Sequence, residues 1–158
     1  MIQATARVLK NVIEIKVGDE LWLARPVQWT EEGLGSRIAA LFSTEYYTYR
    51  PSAPEQIHST VDYRVKGDAI RISIGDDHWQ TKSSTFGPIT VEYGGRKYII
   101  HERLTGRFAI VEAERPVGVG QTGFRSCAIN DYPPELEGFF ANLALGFLIR
   151  TLTWEGLR

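Results

Sequence analysis

The sequence predicts a mainly β fold, α+β in class, in which antiparallel strands surround one hydrophobic C-terminal helix. Three observations predict it. Gly138–Ile149, reading GFFANLALGFLI, runs twelve residues without a charge between Glu137 and Arg150. Ahead of it, turn dipeptides punctuate a series of short β-rich runs. Between the two regimes stands Asp131-Tyr132-Pro133-Pro134, a helix-start signal. Twelve residues of helix span about 18 Å against roughly 30 Å of hydrocarbon core, so the run reads as buried and not transmembrane. A helix apolar on all sides must be surrounded, and β-sheet is the material this chain supplies.

The chain's 158 residues fit one domain, 1–158, with enough length to bury a sizeable core. Apolar residues at 43% and charged residues at 23% exclude a disordered chain. Eighteen basic against nineteen acidic side chains give a net charge of −1, and a general nucleic-acid binder would carry a basic excess. Nucleic acid is therefore not an expected partner. Cys127 is the one cysteine, so no internal disulfide forms. The N-terminal residues alternate polar and apolar instead of forming a signal peptide, and a cytoplasmic location is the expectation.

Along the chain, Ile2–Leu9 and Val12–Val17 flank Lys10-Asn11, and Gly18-Asp19 leads into Glu20–Val27. Tyr63–Val65 and Ile70–Ile74 flank Lys66-Gly67-Asp68. Ile89–Tyr93 and Lys97–Glu102 flank Gly94-Gly95, whose glycines suit the positive φ angles of a primed hairpin turn. Thr105-Gly106 separates that strand from Phe108–Glu112, and Arg115-Pro116 is expected to interrupt before Val117. The stretch 28–60 is the least readable: Arg50–Glu55 is a Pro-punctuated connection, and Arg37–Tyr49 reads as strand on its four aromatics. From Pro134 to about Thr153 the chain predicts helix, with Glu135 and Glu137 at the positive end of its dipole and Arg150 toward the negative end. Gly138 and Gly146 each disfavour helix by about 1 kcal/mol against alanine, which a close backbone approach would justify. Asn142 is the one amide in the run and calls for a buried partner, or else marks a wetter side of the helix.

Gly118-Val119-Gly120-Gln121-Thr122-Gly123 matches G-x-G-x-x-G letter for letter. A dinucleotide site needs a helix to open at the glycines, whereas Phe124–Ile129, directly after them, reads as strand. The motif is expected to be a glycine-rich turn between strands. Asp76-Asp77-His78 clusters possible ligands but lacks the spacing of a metal site, His58 and His101 are remote from it, and Gly75-Asp76-Asp77 has turn chemistry. Cys127 reads as a small core residue. The tryptophans Trp22, Trp29, Trp79 and Trp154 read as core and wall packing. Neither metal nor cofactor is expected.

Arg96–Arg107 (RKYIIHERLTGR) carries a local charge of +3. On strand alternation Lys97, Ile99, His101 and Arg103 share one face. Arg96, Lys97, His101, Arg103 and Arg107 are the candidate ligand-binding residues. They suit an anionic lipid head group or a phosphorylated partner, although a solvated strand face is the simpler reading of the same residues.

Phe108–Glu114, then Arg115-Pro116-Val117-Gly118, a strand near Phe124–Ile129 and Pro-Pro-Glu-Leu-Glu-Gly-Phe-Phe leading into an apolar helix together resemble the end of the tubby-like superfamily. That group includes the LURP-one-related proteins and the phospholipid scramblases. The resemblance implies an antiparallel β-barrel of about twelve strands enclosing the hydrophobic C-terminal helix, and it suggests lipid binding without supplying catalytic residues. The cysteine-rich and D-x-D-x-D-G calcium patterns associated with scramblase activity are missing from the sequence. The function expected is a non-catalytic binding module, its partner an anionic phospholipid or a membrane-associated protein. The alternative is a protein–protein or structural module that self-associates. An enzyme or carrier with an open cavity stands third, since a central helix fills the space a carrier needs.

Overall fold

The computed structural model describes residues 1–7, 12–27, 45–85 and 87–156. Twelve strands form one antiparallel sheet: β1 Ile2–Arg7, β2 Val12–Val17, β3 Glu20–Pro26, β4 Glu45–Tyr49, β5 Ser59–Arg64, β6 Ala69–Ile74, β7 Asp77–Gln80, β8 Ile89–Tyr93, β9 Arg96–Glu102, β10 Arg107–Glu112, β11 Arg115–Gly123 and β12 Ser126–Asn130. A 3-10 turn at Pro134–Leu136 leads into the helix α1, Glu137–Gly156. The strand order is β7-β6-β5-β4-β3-β2-β1-β12-β11-β10-β9-β8. Two up-and-down meanders thus meet where β1 pairs with β12, Ile2 opposite Ile129 and Ala4 opposite Cys127. The free edges β7 and β8 come together through the paired Lys82 and Thr90 backbones, with N···O distances of 2.7 and 2.9 Å. The result is the expected twelve-stranded, nearly closed barrel around one helix.

Alternation builds the wall. Ile13, Ile15 and Val17 of β2, Val61 and Tyr63 of β5, Ile70 and Ile72 of β6, and Tyr98 and Ile100 of β9 all turn inward and are buried. The axle is α1, buried without a break from Phe139 to Ile149. Each large apolar side chain enclosed in this way contributes roughly 1.5–3 kcal/mol against exposure. By length and hydropathy Pro134–Glu155 could cross a bilayer, but here the sheet encloses its apolar part.

Asn142 lies fully inside, and its amide is satisfied as expected. Its Nδ2 donates to the Gly138 carbonyl at 2.8 Å, and its Oδ1 accepts from the Ser59 hydroxyl at 2.6 Å. Thr48 in turn bonds Ser59, so an amide on the axle is tied to two strands. Gly146 is a close approach: an added Cβ would lie 2.4 Å from Ile70 Cγ2. Gly138 is not, since nothing lies within 4 Å of its Cβ position. Gly94 and Gly95 have φ of 59° and 75°, the primed turn their spacing predicts.

Three further expectations are corrected. The glycine motif is no turn: Gly118–Gly123 runs inside β11, and the turn falls at Phe124-Arg125. Its glycines make room for rings, since a Cβ at Gly120 would lie 2.1 Å from Phe108 Cζ. Pro116 likewise continues β11, beside an irregularity in the register between Ile110 and Val111. Trp154 is not packed into the wall: it is 44% exposed at the last turn of α1. Of Arg37–Tyr49, residues 45–49 are strand, and 37–44 lie outside the described residues, as does Trp29.

Candidate functional site

The five candidate residues separate into three places along the β9–β10 hairpin. Arg96 starts β9 on its inward-facing parity, at the rim near the N-terminus of α1. There its guanidinium donates to Glu112 at 2.6 and 2.7 Å, and hydrogen bonding to that carboxylate raises the Arg96 pKa further. Arg96 is thus committed to a rim ion pair. Lys97 is exposed on the outer wall, in register with Glu92 of β8. His101, Arg103 and Arg107 gather at the other end of the hairpin, around a depression of about 470 Å³ in the outer wall.

Register explains the depression. His101 stands opposite Ala109, Ala109 opposite Val119, and Val119 opposite Asn130, which makes one outward row across β9, β10, β11 and β12. The next row sets Arg107 opposite Gln121 and Gln121 opposite Ala128. Ala109 and Ala128 keep the floor low, while the long side chains stand at its margin. The Arg103 N–H donates to the Arg107 carbonyl at 2.8 Å, which holds the two guanidinium-bearing residues on one tight turn. No carboxylate is among the described residues lining this depression. Two permanent cations, one histidine and the amides of Gln121 and Asn130 therefore face outward over a small-residue floor, an arrangement that suits an anion with several oxygen acceptors. Gln121, Asn130 and the alanines could not be found from sequence, because they join the site only through strand register.

The remaining chemistry-bearing residues named from the sequence lie apart from this depression. Cys127 is fully buried, and burial pushes its thiol up to about 12, so it is inert at neutral pH. His78 is exposed and shares a 2.8 Å hydrogen bond with Ser73, while Asp76 lies at the preceding turn and Asp77 opens β7. His58 packs edge-on against Trp22, and burial together with Arg50 lowers its pKa. Among the described residues no three of His, Cys, Asp or Glu are placed to hold a metal ion.

A second depression, of about 590 Å³, lies at the end of the barrel where α1 finishes. Arg150 forms its polar wall. Its guanidinium bridges Asp68 at 2.9 and 3.0 Å and Glu102 at 2.5 Å. Tyr63 donates to Asp68 at 2.5 Å, and Trp154 Nε1 donates to the Tyr63 hydroxyl at 2.8 Å. These bonds clamp the end of the axle to the β5–β6 turn and to β9.

Fold and site together define a helix-filled antiparallel barrel with a basic depression on its outer wall. Comparison with protein-family models, with curated proteins and with solved structures finds no match to this chain.

Proposed function

We propose that this protein is a non-catalytic binding module that engages anionic phospholipid head groups through the His101–Arg103–Arg107 depression. The observation that carries the reading is the convergence of these three residues around a depression with no carboxylate among its described lining residues. Structural duties leave the group free to bind: the rim pairs use Arg96 and Arg150, whereas Arg103 and Arg107 are exposed. The resemblance of the C-terminal half to the tubby-like superfamily supports the same reading. The helix fills the interior, so the outer surface is what the barrel offers to a ligand.

Each cation near an anionic membrane surface contributes about 1 kcal/mol, so removing two weakens binding about thirtyfold. Co-sedimentation with phosphatidylcholine vesicles containing about 30% phosphatidylserine should therefore fall at least that far in R103E/R107E. The K97E variant should lose much less, because Lys97 lies four residues before His101, about 13 Å along the strand. Equal binding by wild type and R103E/R107E would overturn the assignment of this depression.

A further inference from the structure

The two ends of the barrel differ in charge. Around the start of α1 the described turns carry Asp19, Glu55, Asp76, Glu114 and Asp131 against Arg50. Around its end they carry Lys66, Lys82, Arg103 and Arg125 against Asp68, which Arg150 already holds. Each set opposes the partial charge of the helix end it surrounds.

The basic end also presents apolar tips. Leu104 is fully exposed in the β9–β10 turn, and Phe124 is 74% exposed in the β11–β12 turn. The turns are neighbours: the Thr122 N–H donates to the Gly106 carbonyl at 2.9 Å. Each tip has a cation beside it in sequence, Arg103 before Leu104 and Arg125 after Phe124, and the Arg125 guanidinium lies 4.7 Å from the Phe124 ring centre. Val65 and half-exposed Trp154 stand at the same end. Glu155, on the last turn of α1, is the acid that lines the depression there without an ion pair among the described residues.

We propose that the protein seats this end on an anionic phospholipid surface, with Leu104 and Phe124 inserted below the head groups and Arg103 and Arg125 level with the phosphates. This rests on the lipid reading above and adds the orientation. Apolar tips flanked by cations match the layering of a bilayer interface, where charge is favoured at the head groups and apolar surface just beneath them. A second copy meeting this end symmetrically would bring both sets of cations together, which disfavours self-association as the alternative. Arg103 belongs to both the turn and the wall depression, so an end-on seat brings that depression to head-group level.

The buried, inert Cys127 allows selective labelling of introduced cysteines. An environment-sensitive fluorophore is placed in L104C, in F124C and, at the opposite end, in D76C. With phosphatidylcholine vesicles containing about 30% phosphatidylserine, the first two labels should blue-shift and brighten and the third should not. The unlabelled L104S/F124S variant should bind these vesicles at least about tenfold more weakly while keeping the wild-type near-UV circular dichroism. If the wild type sediments with vesicles but the labels at 104 and 124 stay unchanged, lipid binding stands and this seat is overturned. Failure of the wild type to sediment removes both readings. A concentration-dependent oligomer of the wild type, absent in L104S/F124S, would assign these tips to protein contact and likewise overturn the seat.

Discussion

Gly138 and Gly146 sit eight positions apart on α1, and sequence treats them alike. Their surroundings do not. At Gly146 an alanine methyl would collide with Ile70 Cγ2, a branched side chain that is itself fully buried and has little room to yield. Over-packing of this kind costs about 1–3 kcal/mol, while the better helix propensity of alanine returns at most about 1. At Gly138 propensity acts alone. Urea denaturation should therefore find G146A destabilised and G138A neutral to about 1 kcal/mol more stable; the reverse order would mean that α1 does not pass Ile70 as described. The same contrast explains the misreading of the glycine motif. Gly120 exists to let the Phe108 ring lie across β11, a long-range packing demand that leaves the same letter in the sequence as a turn.

At the scale of elements, the clamp on the end of α1 is electrostatic and should be pH-sensitive. Burial alone would raise the Asp68 carboxyl. The hydrogen bonds and charge of Arg150, with the Tyr63 hydroxyl, outweigh burial and hold it below its ordinary value of 3.8. A carboxylate depressed in the folded state contributes its full stabilisation above its unfolded pKa and loses it as pH falls through the folded one. D68N should thus be less stable than wild type by about 1–2 kcal/mol at neutral pH, a figure discounted for the partial exposure of the pair. The gap should shrink below pH 3.8 as the wild-type carboxyl protonates. Urea midpoints of both proteins at pH 7 and pH 3 check this, and a gap that widens in acid would contradict the pairing. Arg150 itself was legible only as a cation near a helix end. That it answers Asp68 and Glu102, 82 and 48 residues away, follows from topology and not from local pattern.

For the whole molecule, the legible features are the local ones. The uncharged run marks the axle, and the turns at Gly18-Asp19, Gly67-Asp68 and Gly94-Gly95 mark the hairpins, because both signals are complete within about a dozen residues. A period of two tells a strand which face to bury but not which strand to pair with. The β1–β12 junction, the outward row from His101 to Asn130 and the closing seam were therefore invisible. That seam is the least reinforced part of the wall. Between β7 and β8 the backbone supplies the Lys82–Thr90 pair, where β1 and β12 run in register over four residue pairs. Side chains complete the closure: Trp79 meets Tyr93 edge-on with centroids 4.5 Å apart, and Tyr93 stacks on Phe139 of α1, also at 4.5 Å. Aromatic contacts of this kind add about 0.5–1.5 kcal/mol beyond burial, comparable to the net worth of one or two backbone hydrogen bonds. Local opening should therefore begin at this seam, since the lowest-energy openings occur where few bonds must break. Native-state hydrogen exchange should show the Lys82 and Thr90 amides exchanging well before those of Ala4 and Ile129. The Y93A substitution should accelerate the first pair by about tenfold while leaving the second governed by global unfolding. Equal protection of both pairs in the wild type would mean that the barrel is closed as firmly at β7–β8 as everywhere else, with the aromatic stack no longer needed to hold it.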